Sequence, residues 1–152
     1  MDPEQQPTHL TAPGSIAETS PVNTGIPEID HHHRLLIDIL RRAREHVDSG
    51  RDSAEFEEII ADLMAYSIYH FDTEETLMGM YGYAQARPED AARHIDEHRV
   101  FAGTIVAFRN DLKSGAALDL HAVLDFVTSW LNEHIRRVDM LLARFILDSE
   151  RP

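Results

Sequence analysis

The sequence predicts an all-α protein: an up-down-up-down antiparallel four-helix bundle with a disordered N-terminal tail. Three observations predict it. Four blocks carry apolar residues at spacings of three and four, which gather them on one helix face. No block alternates with period two, so no strand is expected. Short turn-rich connections, Asp48-Ser49-Gly50 and Ser114-Gly115 among them, favour antiparallel neighbours. The 152 residues suit one domain, and a hydrophobic share of 43% is enough to fill its core.

Residues 1–22 are rich in Pro, Thr, Ser and Gln and read as the disordered tail. Residues 23–152 make the helical domain. The first helix runs from about Asp30 to Val47, with the stripe Leu36, Leu40, Ala43 and Val47. The second runs from about Ser53 to Met78; Asp52 and Glu55 form a capping box at its start, and Gly79 and Gly82 break it. Its stripe is Phe56, Ile60, Leu63, Ser67 and Leu77. The third starts near Pro88, a residue suited to a first helical turn, and carries Ala91, Phe101, Ile105, Phe108 and Leu112. The fourth starts behind Asp119, a good N-cap, and runs to about Asp148. Its stripe is Leu120, Leu124, Val127, Leu131, Val138, Leu141 and Phe145.

Composition narrows the function. A formal net charge of −13 and a pI near 5.0 argue against nucleic acid and anionic membrane surfaces as partners. No segment has the roughly 18 apolar residues that span a bilayer. The N-terminus also lacks the basic-then-apolar pattern of a signal peptide, so a soluble cytoplasmic protein is expected. There is no cysteine, so any metal must be held by nitrogen and oxygen. Ten histidines supply the nitrogen.

Position gives these histidines meaning. His33 sits three residues before Leu36, on the same face. His70 and Glu74 continue the stripe between Ser67 and Leu77, His94 and His98 that between Ala91 and Phe101, and His134 that between Leu131 and Val138. All four helices therefore turn histidine inward. Buried polar groups without partners cost on the order of 1–3 kcal/mol each, and a shared metal would satisfy them together. Axial heights agree: His33, His70, Glu74, His94 and His98 fall roughly 5–15 Å from one end of the bundle. His134 and Asp139 join them if helix four overhangs by one or two turns. His134 and Asp139 are five apart, about 140° round an ideal helix, so bringing both inward requires a local π-bulge or a sideways reach. Seven ligands exceed the four of a structural zinc. Imidazole with carboxylate suits iron, manganese or zinc, and iron fits a redox role.

Four segments resemble the bacterial hemerythrin family. Ile29-Asp30-His31-His32-His33 with Leu36 resembles I-D-x-Q-H-x-x-L, with His32 where the pattern has Gln. His70-Phe71-Asp72-Thr73-Glu74-Glu75 with Met78 resembles H-F-x-x-E-E-x-x-M. His94-Ile95-Asp96-Glu97-His98 is an H-x-x-x-H pair. Trp130-Leu131-Asn132-Glu133-His134-Ile135 with Asp139 resembles W-L-x-x-H-I-x-x-x-D. The resemblance covers about Gly25 to Phe145 and implies a centre of two iron ions that binds O2 reversibly. By it, Glu74 and Asp139 bridge the irons together with an oxo or hydroxo group. His94, His98 and His134 hold one iron, His33 and His70 the other, and Trp130, Leu131 and Ile135 line the oxygen pocket. A binding protein rather than an enzyme is expected. The alternatives are oxygen or redox sensing through an unidentified protein partner that receives O2 or signal, and a di-iron oxidase. The oxidase class uses paired E-x-x-H motifs, and here only Glu28 to His31 fits that spacing. His9, His31, His46 and His121 are expected to face solvent.

Overall fold

The computed structural model describes residues 23–50 and 53–150, all-helical apart from short turns. The expected tail, residues 1–22 with His9, and the Asp52 half of the expected capping box lie outside the described residues. In chain order the elements are α1 (Pro27–Asp48), α2 (Ser53–Tyr81), α3 (Tyr83–Ala86), α4 (Pro88–Lys113) and α5 (Leu120–Glu133), then a π-helical turn (His134–Asp139) and α6 (Met140–Ser149).

Local chemistry sets the ends. Pro27 opens α1, where its missing N–H costs nothing. Just before it, the backbone N–H and the hydroxyl of Thr24 both donate to Asp30 Oδ1, at 2.9 and 2.7 Å. α2 runs through Gly79 rather than breaking there and ends at Gly82, whose φ of +68° is left-handed. Pro88 opens α4. Asp119 caps α5 by accepting from the Ala122 N–H at 3.2 Å. The four-residue α3 is too short for periodicity to reveal; its Tyr83 is buried against Phe145.

Neighbouring helices meet in reversed order. Along α1 and α2, His33 pairs with His70 and His46 with Phe56. Along α2 and α4, Phe71 meets Phe101 while Glu74 meets His94. Along α4 and the last helical stretch, Phe108 meets Phe126, Phe101 meets Trp130, and His98 meets His134. On α1, Arg44 pairs with Asp125 at 2.5 Å and His33 with Asp139 at 2.7 Å.

Two apolar clusters result. The larger contains Leu36, Leu40, Phe56, Ile60, Leu63, Phe101, Ile105, Leu124 and Leu131 among others. The smaller contains Met78, Tyr83, Ala91, Leu142 and Ile146. A layer of buried polar side chains separates them. α6 also supplies the overhang that axial heights demand, because Leu147 reaches level with Gly25, ahead of α1. There a Cβ on Gly25 would lie 3.0 Å from the Leu147 side chain, and its φ is +87°. No helix among the described residues is long and apolar enough to cross a membrane.

Two expectations about facing fail. Leu141 is 41% exposed, and Leu142, at 0%, takes its place in the core with Ile146. The π turn inserts one residue into the helical phase, so everything after it rotates by one position. His46 is 4% exposed rather than solvent-facing, stacked on the Phe56 ring where α2 crosses the end of α1.

Candidate metal centre

Each helical stretch contributes to the polar layer. α1 gives His33. α2 gives His70 and Glu74, and α4 gives His94 and His98, each pair one turn apart on one face. The last stretch gives His134 and Asp139 from the two ends of the π turn. An α-helix would aim residues five apart in different directions; the wider turn brings both inward. All seven side chains are buried, none more than 3% exposed. The structure thus brings together every expected ligand position.

The ligand atoms form two groups. Glu74, His94, His98, His134 and Asp139 make one and His33, His70 and Asp139 the other, with atoms inside each group all within 4.8 Å of one another. Asp139, common to both, divides its oxygens. Asp139 Oδ1 lies 3.1 Å from His94 Nε2 and 2.9 Å from His134 Nε2. Its Oδ2 lies 2.7 Å from His33 Nε2 and 3.5 Å from His70 Nε2. Glu74 Oε1 lies 2.7 Å from His70 Nε2 and 3.6 Å from His98 Nε2, and Oε2 lies 3.3 Å from His94 Nε2.

These contacts satisfy little by themselves. His70 Nε2, His94 Nε2, both Glu74 oxygens and Asp139 Oδ1 are buried and make no hydrogen bond. His70 Nε2 and Glu74 Oε1 are close but misaligned for donation. His98 Nε2 and His134 Nε2 face each other at 3.2 Å, where at most one can donate. Atoms that approach without bonding are aimed at a common point. A first-row ion bound at about 2.1 Å sets adjacent octahedral ligands about 3.0 Å apart, close to most of these separations. The donor set therefore fits first-row metal ions, with Asp139 common to both groups.

The electrostatics agree. Burial disfavours a charged His70, yet the Glu74 and Asp139 carboxylates outweigh it and push it up to about 10. His94, between the same carboxylates, overcomes burial and rises to about 9. His98 falls below its ordinary value through burial and the nearby His94 and His134. Burial opposes ionisation of Glu74 and Asp139, but the surrounding histidines hold both well below the usual carboxylate range. Two buried carboxylates thus attract positive charge, which protons supply when no metal does.

The surroundings hold the expected pocket residues and add Phe71, Glu97 and His32, which the sequence left unassigned. Phe71 stacks on His98 with ring centres 3.9 Å apart, and Trp130 stacks on His134 at 4.6 Å. Leu131 and Ile135 are buried beside them. His134 Nδ1 lies 3.2 Å from Glu97 Oε2, and Glu97 in turn accepts from Arg137 at 2.8 Å. His32 is buried with its Nδ1 3.2 Å from that of His70. A signal for His32 was present: Ile29, His32, Leu36 and Ile39 share helical spacing, so α1 buries a face two residues wide. His31 and His121 are exposed, as expected.

Comparison with known proteins points the same way. The family model of the hemerythrin HHE cation binding domain matches residues 24–146. The bacteriohemerythrin of Methylococcus capsulatus is 30% identical over 118 residues, covering 78% of this chain and 86% of that protein. The bacteriohemerythrin of Pseudomonas aeruginosa (strain LESB58) is 29% identical over 118 residues, covering 78% and 72%. A crystal structure of wild-type hemerythrin aligns with a TM-score of 0.72 and 26% identity, over 83% of this chain and 92% of that one. With a buried histidine–carboxylate cluster and a family model spanning nearly all of the helical domain, the chain belongs to the hemerythrin family and is similar to the bacterial hemerythrins.

Proposed function

We propose that this chain holds two iron ions and binds O2 reversibly, in carriage, storage or delivery. His94, His98 and His134 hold one ion, His33 and His70 hold the other, and Glu74 and Asp139 hold both. The observation that carries this reading is the division of Asp139, with Oδ1 toward His94 and His134 and Oδ2 toward His33 and His70, while Glu74 stands between His70 and His94. When bound, such a pair of ferrous ions supplies two electrons that dioxygen can accept and give back.

The protein's part is restraint. Five neutral imidazoles and two carboxylates place only two negative charges against the four of two ferrous ions, so the ligands push little electron density toward higher oxidation. Trp130, Leu131 and Ile135, with Phe71, wall the centre in apolar surface. That wall excludes water and slows proton delivery to bound oxygen, which is how electrons would otherwise be lost. Among the cluster's carboxylates only Glu74 and Asp139 are fully buried, and Glu28 and His31 are exposed. This ligand chemistry favours binding over oxidase turnover.

The test is metal content and an optical spectrum on protein reduced, then cycled between nitrogen and air. Two irons per chain and a visible charge-transfer band that rises with O2 and falls without it are expected. A band that fails to reverse, or steady O2 consumption under a reductant, overturns reversible binding in favour of oxidase chemistry.

A further inference from the structure

We propose that His32 is a positioning residue for this centre: its Nδ1 accepts the Nδ1–H of His70 and fixes the tautomer that presents a bare Nε2 to a metal. The inference rests on the metal reading above. His70 turns Nε2 toward Glu74 Oε1 at 2.7 Å and Asp139 Oδ2 at 3.5 Å, the side where a metal would lie. A neutral imidazole has one proton to place. If Nε2 is a ligand, Nδ1 carries the proton and needs an acceptor. The group facing it is His32 Nδ1 at 3.2 Å, with the two rings nearly perpendicular at 85°. His32 must then keep Nδ1 bare and carry its own proton on Nε2.

The contact is built rather than incidental. His32 is 4% exposed, and its ring packs against Tyr69 with centres 5.0 Å apart. Among the five expected histidine ligands, Nδ1 of His33, His94 and His98 makes no hydrogen bond. Only His70 and His134 have one, to His32 and to Glu97. Outer partners of this kind orient a ligating imidazole and raise its basicity. The supported ligands differ: His134 is backed by a carboxylate, His70 by a neutral ring. His70 also belongs to the group with fewer protein ligands, so its orientation matters most there.

The experiment loads the full chain with Zn(II), which is diamagnetic and redox-inert. It compares wild type with His32→Phe, which keeps a ring but no acceptor, and His32→Gln, which restores an acceptor oxygen. Affinity is read by competition with a chromophoric chelator, and the tautomer by long-range nitrogen–proton NMR of His70. Wild type and His32→Gln are expected to show a protected His70 Nδ1–H. His32→Phe is expected to lose that protection and to bind Zn(II) about 10–100-fold more weakly, with an unchanged circular dichroism spectrum. His32→Leu serves as a second non-accepting variant should the phenylalanine pack badly. Non-accepting variants that bind as tightly as wild type overturn the inference, as does a glutamine variant as weak as they are. Wild type that takes up no Zn(II) overturns the metal reading itself, a separable result.

Discussion

Two helical stretches each deliver two side chains to the same buried polar cluster, and they do it differently. α4 presents His94 and His98 four residues apart on an ordinary helix. The final stretch presents His134 and Asp139 five apart, across a π turn. α4 keeps a single phase, so Ala91, His94, His98, Phe101 and Ile105 all face inward. The final stretch changes phase at the metal centre. Val127 faces inward above the turn and Ala143 below it, sixteen residues and about 160° apart on an unbroken α-helix, a register no single α-helix holds. The difference teaches that one extra residue can aim a carboxylate between two groups of histidines, provided the helix after it is written in the shifted phase.

Single-residue deletions at exposed positions break this comparison in opposite ways. Removing Asp96 from α4 rotates everything after it by about 100°. His98, Phe101 and Ile105 then leave the interior, and losing buried side chains of that size costs about 2–5 kcal/mol each. Loss of both metal uptake and a cooperative melt is expected, a larger effect than any single substitution in the core should produce. Removing Arg136 from the π turn instead leaves His134 and Asp139 four apart, the spacing an α-helix accepts, with α6 in its present phase. Unchanged metal stoichiometry and a Tm shift within about 5 °C are expected. If the Arg136 deletion abolishes metal uptake as the Asp96 deletion does, the π geometry itself is required, not merely the register it sets.

The same phase change shows what the sequence could and could not disclose. The ligand pairs on α2 and α4 were legible because spacing four coincides with the apolar stripe on either side. Asp139 was legible only as a conflict: five residues from His134, it needed a bulge that no propensity signals. The consequence downstream was missed: the stripe carried on from Val138 includes Leu141 at its flank, and the extra residue turns Leu141 outward. Glu97 escaped for another reason: its role comes from a contact across helices, which one helix's periodicity does not encode. The burial of His32 was legible in the spacing of Ile29, His32, Leu36 and Ile39, but its contact with His70 was not. A smaller perturbation sharpens the point. Leu142→Ala is expected to destabilise by about 2–5 kcal/mol and Leu141→Ala by no more than about 0.5 kcal/mol, read by denaturant unfolding. Equal effects would contradict the shifted register.

The gentlest probe is pH, and it separates the two histidines of α4. In metal-free protein His70 stands at about 10 and His94 at about 9, against 6.5 for an ordinary histidine, while His98 is lowered. Between about pH 6.5 and 9–10 the folded chain therefore holds protons that the unfolded chain has released. That stability is fully present below pH 6.5 and is lost as pH rises through the folded values. Glu74 and Asp139, depressed, act at the other end: their contribution is present above the ordinary carboxylate range and fails as pH falls through their folded values. Metal runs against the histidine trend, since it needs the same nitrogens bare and displaces their protons. Melts of metal-free and metal-loaded protein should therefore diverge as pH rises from 6.5 to 9, the metal-free Tm falling. His94→Gln should flatten that fall and His98→Gln should leave it. A metal-free Tm that holds or rises across this window would mean that protons do not stand in for metal between the two carboxylates.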